Sequence, residues 1–136
     1  MSEQKKIHFK ITTHEKVVFD AEVDEIYSKG TQGEFGILPG HVPFMSGLEI
    51  GVTKAVIDGK PEFFAVMGGV FQFKDNEALI LTQMAEKSSD IDAVRAEEAR
   101  KRAEVRLEES EDTIDVQRAE IALARSIARL KAIQKL

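Results

Sequence analysis

Within Leu79–Leu107, LILTQMAEKSSDIDAVRAEEARKRAEVRL, one kind of chain gives way to another. Leu79 to Thr82 reads as a short apolar strand. From Ile91 onward there is no Gly or Pro, and Ala, Glu, Arg, Lys and Leu, all good helix formers, dominate. The change falls near Met84 to Ser89, so two regions are expected, residues 1–84 and 85–136. The whole chain divides in the same way. All nine glycines lie between Gly30 and Gly69, the prolines are Pro39, Pro43 and Pro61, and the nine aromatics stop at Phe73. All seven arginines come later: Arg95, Arg100, Arg102, Arg106, Arg118, Arg125 and Arg129. Residues 1–84 carry 8 Lys and 12 acids, and residues 85–136 carry 11 basic and 12 acidic groups.

Upstream of the boundary the chain reads as β. Ile7, Phe9 and Ile11 alternate with Lys6, His8, Lys10 and Thr12, the period of a half-buried strand. Val17, Val18 and Phe19 follow a polar turn. Val52 to Ile57 and Glu62 to Val66 flank Asp58-Gly59, a strong hairpin signal. Phe71 and Phe73 alternate, and Asp75-Asn76 can turn the chain into Leu79–Thr82. Many short strands with closely spaced turns predict a small antiparallel sandwich or barrel.

Downstream, Ala96, Ala99, Ala103 and Leu107 recur on one helical face, and Val116, Ala119, Leu123, Ile127 and Leu130 on another. Glu108 to Asp112 is polar between them, and Asp112 or Thr113 suits an N-cap. Two helices with a short polar link predict an antiparallel hairpin. Its seam is rich in Ala, which buries little area; at ~25 cal/mol per Å² the hairpin sits in a shallow well and can open.

Composition excludes several classes of function. A length of 136 residues suits one domain, or a small domain with an appendage. An apolar share of 43% supports a packed core, and zero Cys excludes disulfides, thiol catalysis and Cys-based zinc sites. A net charge of −5 argues against nucleic acid as a general partner. The longest apolar run, Phe63 to Phe71, is about half of what a membrane span needs. Met1 to Lys6 is polar and unlike a signal peptide, so a cytosolic protein without an anchor of its own is expected. The three histidines show no metal spacing, and no Gly-x-Ser-x-Gly elbow or phosphate-cradling glycine loop occurs.

Two features remain. Gly33 to Pro43, GEFGILPGHVP, reads as a rigid turning loop, either a sandwich crossover or a binding loop with an exposed Ile-Leu-Pro tip. Asp92, Arg95, Ala99, Arg102 and Arg106 share one helical face, as do Arg118, Arg125 and Arg129 on the next helix. Antiparallel pairing brings Arg95 and Arg102 opposite Arg129 and Arg125. Such a cluster repels unless an anion sits within it, and forked Arg donors suit phosphate. The alternative is ordinary ion pairing on a solvated face, such as Glu98 with Arg102, at ~0.3–0.5 kcal/mol per pair.

Gly36-Ile37-Leu38-Pro39-Gly40-His41-x-Pro43 resembles the signature loop of the epsilon subunits of bacterial F-type ATP synthases. Met67-Gly68-Gly69-Val70 resembles that family's paired-glycine segment, though an aromatic is common where Val70 stands. Ile91-Asp92-Ala93-Val94-Arg95-Ala96 resembles the Ile/Leu-Asp-x-x-Arg-Ala motif that opens its first C-terminal helix. The likeness runs along nearly the whole chain and implies the same fold: an N-terminal β-sandwich followed by a C-terminal helical hairpin.

The resemblance also implies a function. It suggests a non-catalytic central-stalk subunit of the proton-translocating synthase, peripheral on the cytoplasmic face of the membrane. Its sandwich would touch the gamma subunit and the rotor ring through Ile37, Leu38, Pro39, His41 and Val42. Its helices, when extended, would reach the alpha and beta catalytic subunits and block ATP hydrolysis; some 45 helical residues span ~68 Å. In relatives that bind ATP on the hairpin, the matching positions here are Glu86, Ile91, Asp92, Arg95, Ala96, Arg102, Arg125 and Arg129. ATP is then a regulatory ligand that favours the compact hairpin, with the need for magnesium left open. A free-standing nucleotide sensor or scaffold is the alternative.

Overall fold

The computed structural model describes residues 5–134; Met1–Gln4 of the polar start, and Lys135 and Leu136, lie outside the described residues. Eight strands come first: β1 (Ile7–Thr12), β2 (Val17–Val23), β3 (Glu25–Gly30), β4 (Gly33–Ile37), β5 (Phe44–Ile57), β6 (Lys60–Lys74), β7 (Glu77–Leu81) and β8 (Ala85–Lys87). A 3-10 turn (Ser88–Asp90) leads into two helices, α1 (Ala93–Glu109) and α2 (Thr113–Ala132). The sandwich and the helical hairpin are both as the sequence predicts.

The strands lie in the order β2-β1-β7-β6-β5-β3-β4, with β8 also on β6. In β1 the expected alternation holds, with Ile7, Phe9 and Ile11 wholly buried. The sheet folds over on itself, so that the Phe19 ring of β2 packs edge-on against Phe64 of β6, centroids 4.8 Å apart. Phe9, Phe71, Phe73, Ile26 and Ile80 fill the space between the layers. Each such side chain contributes roughly 1.5–3 kcal/mol by leaving water. The turns fall where expected: Asp58 and Gly59, and then Asp75 and Asn76, all have positive φ, as two-residue hairpins need.

Three strands depart from expectation: β3, which the sequence reading did not include, β4 and β8. Gly33–Ile37 is not loop but β4, pairing Ile26↔Ile37, Tyr27↔Gly36 and Ser28↔Phe35 with β3. Gly36 is required there because a Cβ would meet the Tyr27 ring at 2.7 Å. The sheet also continues past Met84, where the β region was expected to end. β8 pairs Phe64↔Lys87 and Val66↔Ala85 with β6, in line with the β7 pair Val70↔Leu81. Between them Met67 N–H donates to the Met84 carbonyl at 2.9 Å. Opposite this break Gly69 has φ +115°, and a Cβ would lie 2.1 Å from the Leu81 carbonyl oxygen, so only glycine fits.

Both helices start on aspartate caps. The Asp92 carboxylate accepts from Arg95 N–H at 3.1 Å, and Asp112 from Ile114 N–H at 2.8 Å. Ala96 and Ala103 of α1 and Ala119 of α2 are buried in the helical hairpin. The hairpin lies folded back on the sandwich, resting chiefly through α2. Ala128 and Ala132 pack on Ala65 and Met67, flanked by Ile50, Val52, Phe63 and Ile91.

Candidate functional site

The end of the helical hairpin and the edge of the sheet enclose a cavity of about 350 Å³. β8 supplies Glu86 as its sheet-side wall, and the turn beyond supplies Asp90, Ile91 and Asp92. Arg95, Ala96, Ala99 and Arg102 come from α1, one or two helical turns apart, and Arg129 from the last turn of α2. Seven of the eight positions named from the sequence thus share one cavity. Asp90, and Ala99 from the face shared by Asp92, Arg95 and Arg102, join them although neither was among those eight positions.

Arg125 is the exception, since it does not line the cavity. Its Nε is buried and, among the described residues, finds no hydrogen-bond partner. Arg125 stands four residues, about 6 Å, before Arg129 along α2. Three guanidiniums converge, not four.

Their pairing is uneven. Arg129 donates through Nε to Glu86 Oε1 at 2.5 Å, and its Nη2 lies 3.3 Å from Met84 Sδ. Among the described residues, neither Arg95 nor Arg102 has a carboxylate within salt-bridge distance, and the expected Glu98–Arg102 pair does not form. The ordinary ion pairing of this face falls instead on Arg100, which bonds Glu97 and approaches Glu104 at 3.5 Å. Arg100 holds the Glu97 carboxyl below its usual range. Among the described residues the cavity therefore has two guanidiniums without an ion pair, a third paired across to β8, the carboxylates of Asp90 and Asp92, and an apolar wall of Ile91, Ala96 and Ala99. That combination suits a ligand with a phosphate end and a flat apolar end.

The loop expected to meet a partner is partly misread. Ile37 is 1% exposed and belongs to the core, because its β4 position pairs with Ile26. Leu38 and Val42 are 52% and 69% exposed, so the offered surface begins after Ile37. Pro39 is half-buried, and His41 is half-buried edge-on to Phe44 and Phe73. A second apolar surface was not read from the sequence. Strand register aligns Val17, Thr12, Leu81, Val70 and Gly47 in one outward row. Val17, Leu81 and Val70 are all exposed, and Met45 stands beside them. The signal was present in Val17-Val18-Phe19, Leu79-Ile80-Leu81 and Val70-Phe71, where unbroken apolar runs leave both strand faces apolar.

Among the described residues, nothing else resembles a reactive centre. Among the described residues no group of three or more His, Cys, Asp or Glu is placed to hold a metal ion. His8 lies between Asp20 and Glu77 at 2.5 and 3.3 Å, on the open face of the sheet. No described helix is long and apolar enough to cross a membrane.

Comparison with known proteins agrees along the chain. The family described as "ATP synthase, Delta/Epsilon chain, beta-sandwich domain" matches residues 6–88, and its "long alpha-helix domain" matches residues 89–134. The ATP synthase epsilon chain of Nitratidesulfovibrio vulgaris is 40% identical over 128 residues, covering 94% of this chain and 96% of the relative. That of Syntrophobacter fumaroxidans is 42% identical over 130 residues, covering 96% and 97%. Among solved structures, a chain of the Euglena gracilis mitochondrial ATP synthase OSCP/F1/c-ring assembly superposes with a TM-score of 0.81 at 24% identity, over 95% of this chain and 81% of that one. One from the Tetrahymena thermophila central stalk and c-ring gives 0.65 at 16% identity, over 97% and 99%. At those identities the two structures bear on the fold.

Proposed function

This chain belongs to the ATP synthase delta/epsilon family as an epsilon subunit of the F-type enzyme, and from that premise we propose that it is a non-catalytic, nucleotide-sensing regulator of the rotary motor. The sandwich joins the central stalk. Its exposed Leu38 and Val42, and the row of Val17, Leu81 and Val70, are apolar surfaces suited to the gamma subunit and the rotor ring. The helical hairpin is the switch. Folded on β5 and β6 it leaves the catalytic head free; extended along gamma it reaches the alpha and beta subunits and stops ATP hydrolysis. The complex would hold this chain peripherally at the cytoplasmic face of the membrane.

ATP biases the switch by binding the compact form. Arg95 and Arg102 receive the phosphates, Ile91, Ala96 and Ala99 face the base, and Asp92 holds the start of α1 in place. A ligand shifts such an equilibrium only by its preference for one form, and here the compact form alone assembles the cavity from β8, α1 and α2. The observation that carries this reading is the convergence of Arg95 and Arg102, neither in an ion pair among the described residues, with Arg129 on one cavity. A free-standing sensor, the alternative, has no use for the exposed Leu38 and Val42.

Calorimetric titration of the isolated chain with ATP tests the proposal. The wild type should bind, and Arg95→Ala or Arg102→Ala should weaken binding by roughly one to two orders of magnitude, at ~1.5–3 kcal/mol per charge-assisted bond. Arg125→Ala should cost less, since that side chain lies off the cavity. Absence of heat with the wild type, or equal affinity in all three variants, contradicts it.

A further inference from the structure

Met84 stands where β7 gives way to β8, outside the cavity, and its backbone is held in place. Its carbonyl accepts from Met67 N–H at 2.9 Å and from the Thr82 hydroxyl at 3.2 Å. Its side chain is 42% exposed, and its sulfur accepts from Nη2 of Arg129, in the last turn of α2, at 3.3 Å. Among the described residues no other methionine sulfur takes a hydrogen bond. Met67 is buried beneath α2, and Met45 is open but carries no such partner. A thioether is a weak acceptor, so this contact adds little to the docking of the hairpin as it stands. A sulfoxide oxygen in the same place accepts strongly, and a guanidinium donor makes the bond charge-assisted.

We propose that Met84 is a redox-sensitive modification site: oxidation of its thioether to the sulfoxide by a hydroperoxide fastens the end of α2 to the sheet through Arg129. In that step a sulfur lone pair attacks one peroxide oxygen. The S–O bond forms as the O–O bond breaks, and the proton passes to the departing oxygen, which leaves as water or an alcohol. Sulfur gives up two electrons and the peroxide takes them. Arg129 engages one of the two lone pairs of sulfur, and the exposed side chain leaves the other open to the oxidant. Three rotatable bonds let Met84 bring the new oxygen to Nη2, while Nε of Arg129 stays on Glu86. Nη1 remains for other anions, so the new tie displaces nothing from the cavity. A sulfoxide reductase reverses the step. The tie itself does not rest on the nucleotide reading; on the proposed switch it would hold the chain compact under oxidising conditions.

The test compares the full chain with Met84→Leu, each before and after dilute hydrogen peroxide and without ligand; a cooperative melt establishes that the sandwich is intact. Oxidation at Met1 or Met45 is common to both chains and cancels in the comparison. Peptide mass mapping of the folded wild type should find sulfoxide at Met84 well before it appears at Met67. Hydrogen exchange of the α2 amides should slow by roughly three- to tenfold in the oxidised wild type. It should stay unchanged in treated Met84→Leu and recover in the wild type after sulfoxide reductase treatment. In Arg129→Leu the sulfoxide should bring no slowing. Oxidation of Met84 no sooner than Met67 overturns the site. Exchange that is unchanged or faster in the oxidised wild type overturns the tie. Equal slowing in treated Met84→Leu or Arg129→Leu overturns it as well, because the effect then arises without the sulfur or without the guanidinium.

Discussion

His8 ties three neighbouring strands on the open face of the sheet, from its place on β1 to Asp20 on β2 and Glu77 on β7. The Asp20 carboxylate, and after it Glu77, raises its pKa above the ordinary value of about 6.5. A group with a raised folded pKa stabilises the fold fully below its unfolded value and loses that contribution as pH rises through the folded value. Sheet stability should therefore decline slightly above about pH 6.5, the effect being small because the imidazole is 40% exposed. The imidazole signals followed by NMR should give a His8 midpoint above 6.5, returning toward it in Asp20→Asn. A midpoint at or below 6.5 in the wild type contradicts the pairing.

Among the elements, β8 has the largest consequence for its length. Its three residues close the edge of β6 and bury Ala85 in the core. A chain cut after Lys87 should melt cooperatively by itself, and one cut after Met84 should melt several degrees lower, as a loss of about 1 kcal/mol does in a domain this small. Equal melting temperatures would mean that β8 belongs with the helices. No strand this short is legible in sequence, because period-2 alternation needs about four residues to declare itself. β3 was missed for another reason. Its inward residues are Ile26, Ser28 and Gly30, so only one is apolar, and Ser28 satisfies its hydroxyl on Thr53 at 2.5 Å. β1 and the helix caps were legible because each rule they obey is local. The site was half legible in the same sense. Arg95 and Arg102 followed from spacing within one helix, while the β8 wall and the aim of Arg125 depend on how α2 lies against α1 and the sheet.

For the molecule as a whole, what matters is how weakly its two regions are joined. The sandwich holds all the aromatics and an extensive core, whereas α2 rests on it largely through Ala128 and Ala132. Methyl groups bury little area, so docking gains little per residue at ~25 cal/mol per Å². A ligand at a hundred times its dissociation constant contributes about 2.7 kcal/mol, enough to decide a balance this shallow. On the proposed switch, the same weakness would let the hairpin leave without disturbing the core of the sandwich. The most direct measurement of that switch is ATP hydrolysis by the assembled synthase carrying either the full chain or one ending at Lys87. The truncated complex should hydrolyse ATP several-fold faster while keeping gradient-driven synthesis. Hydrolysis no faster than that of the intact complex would contradict an inhibitory hairpin.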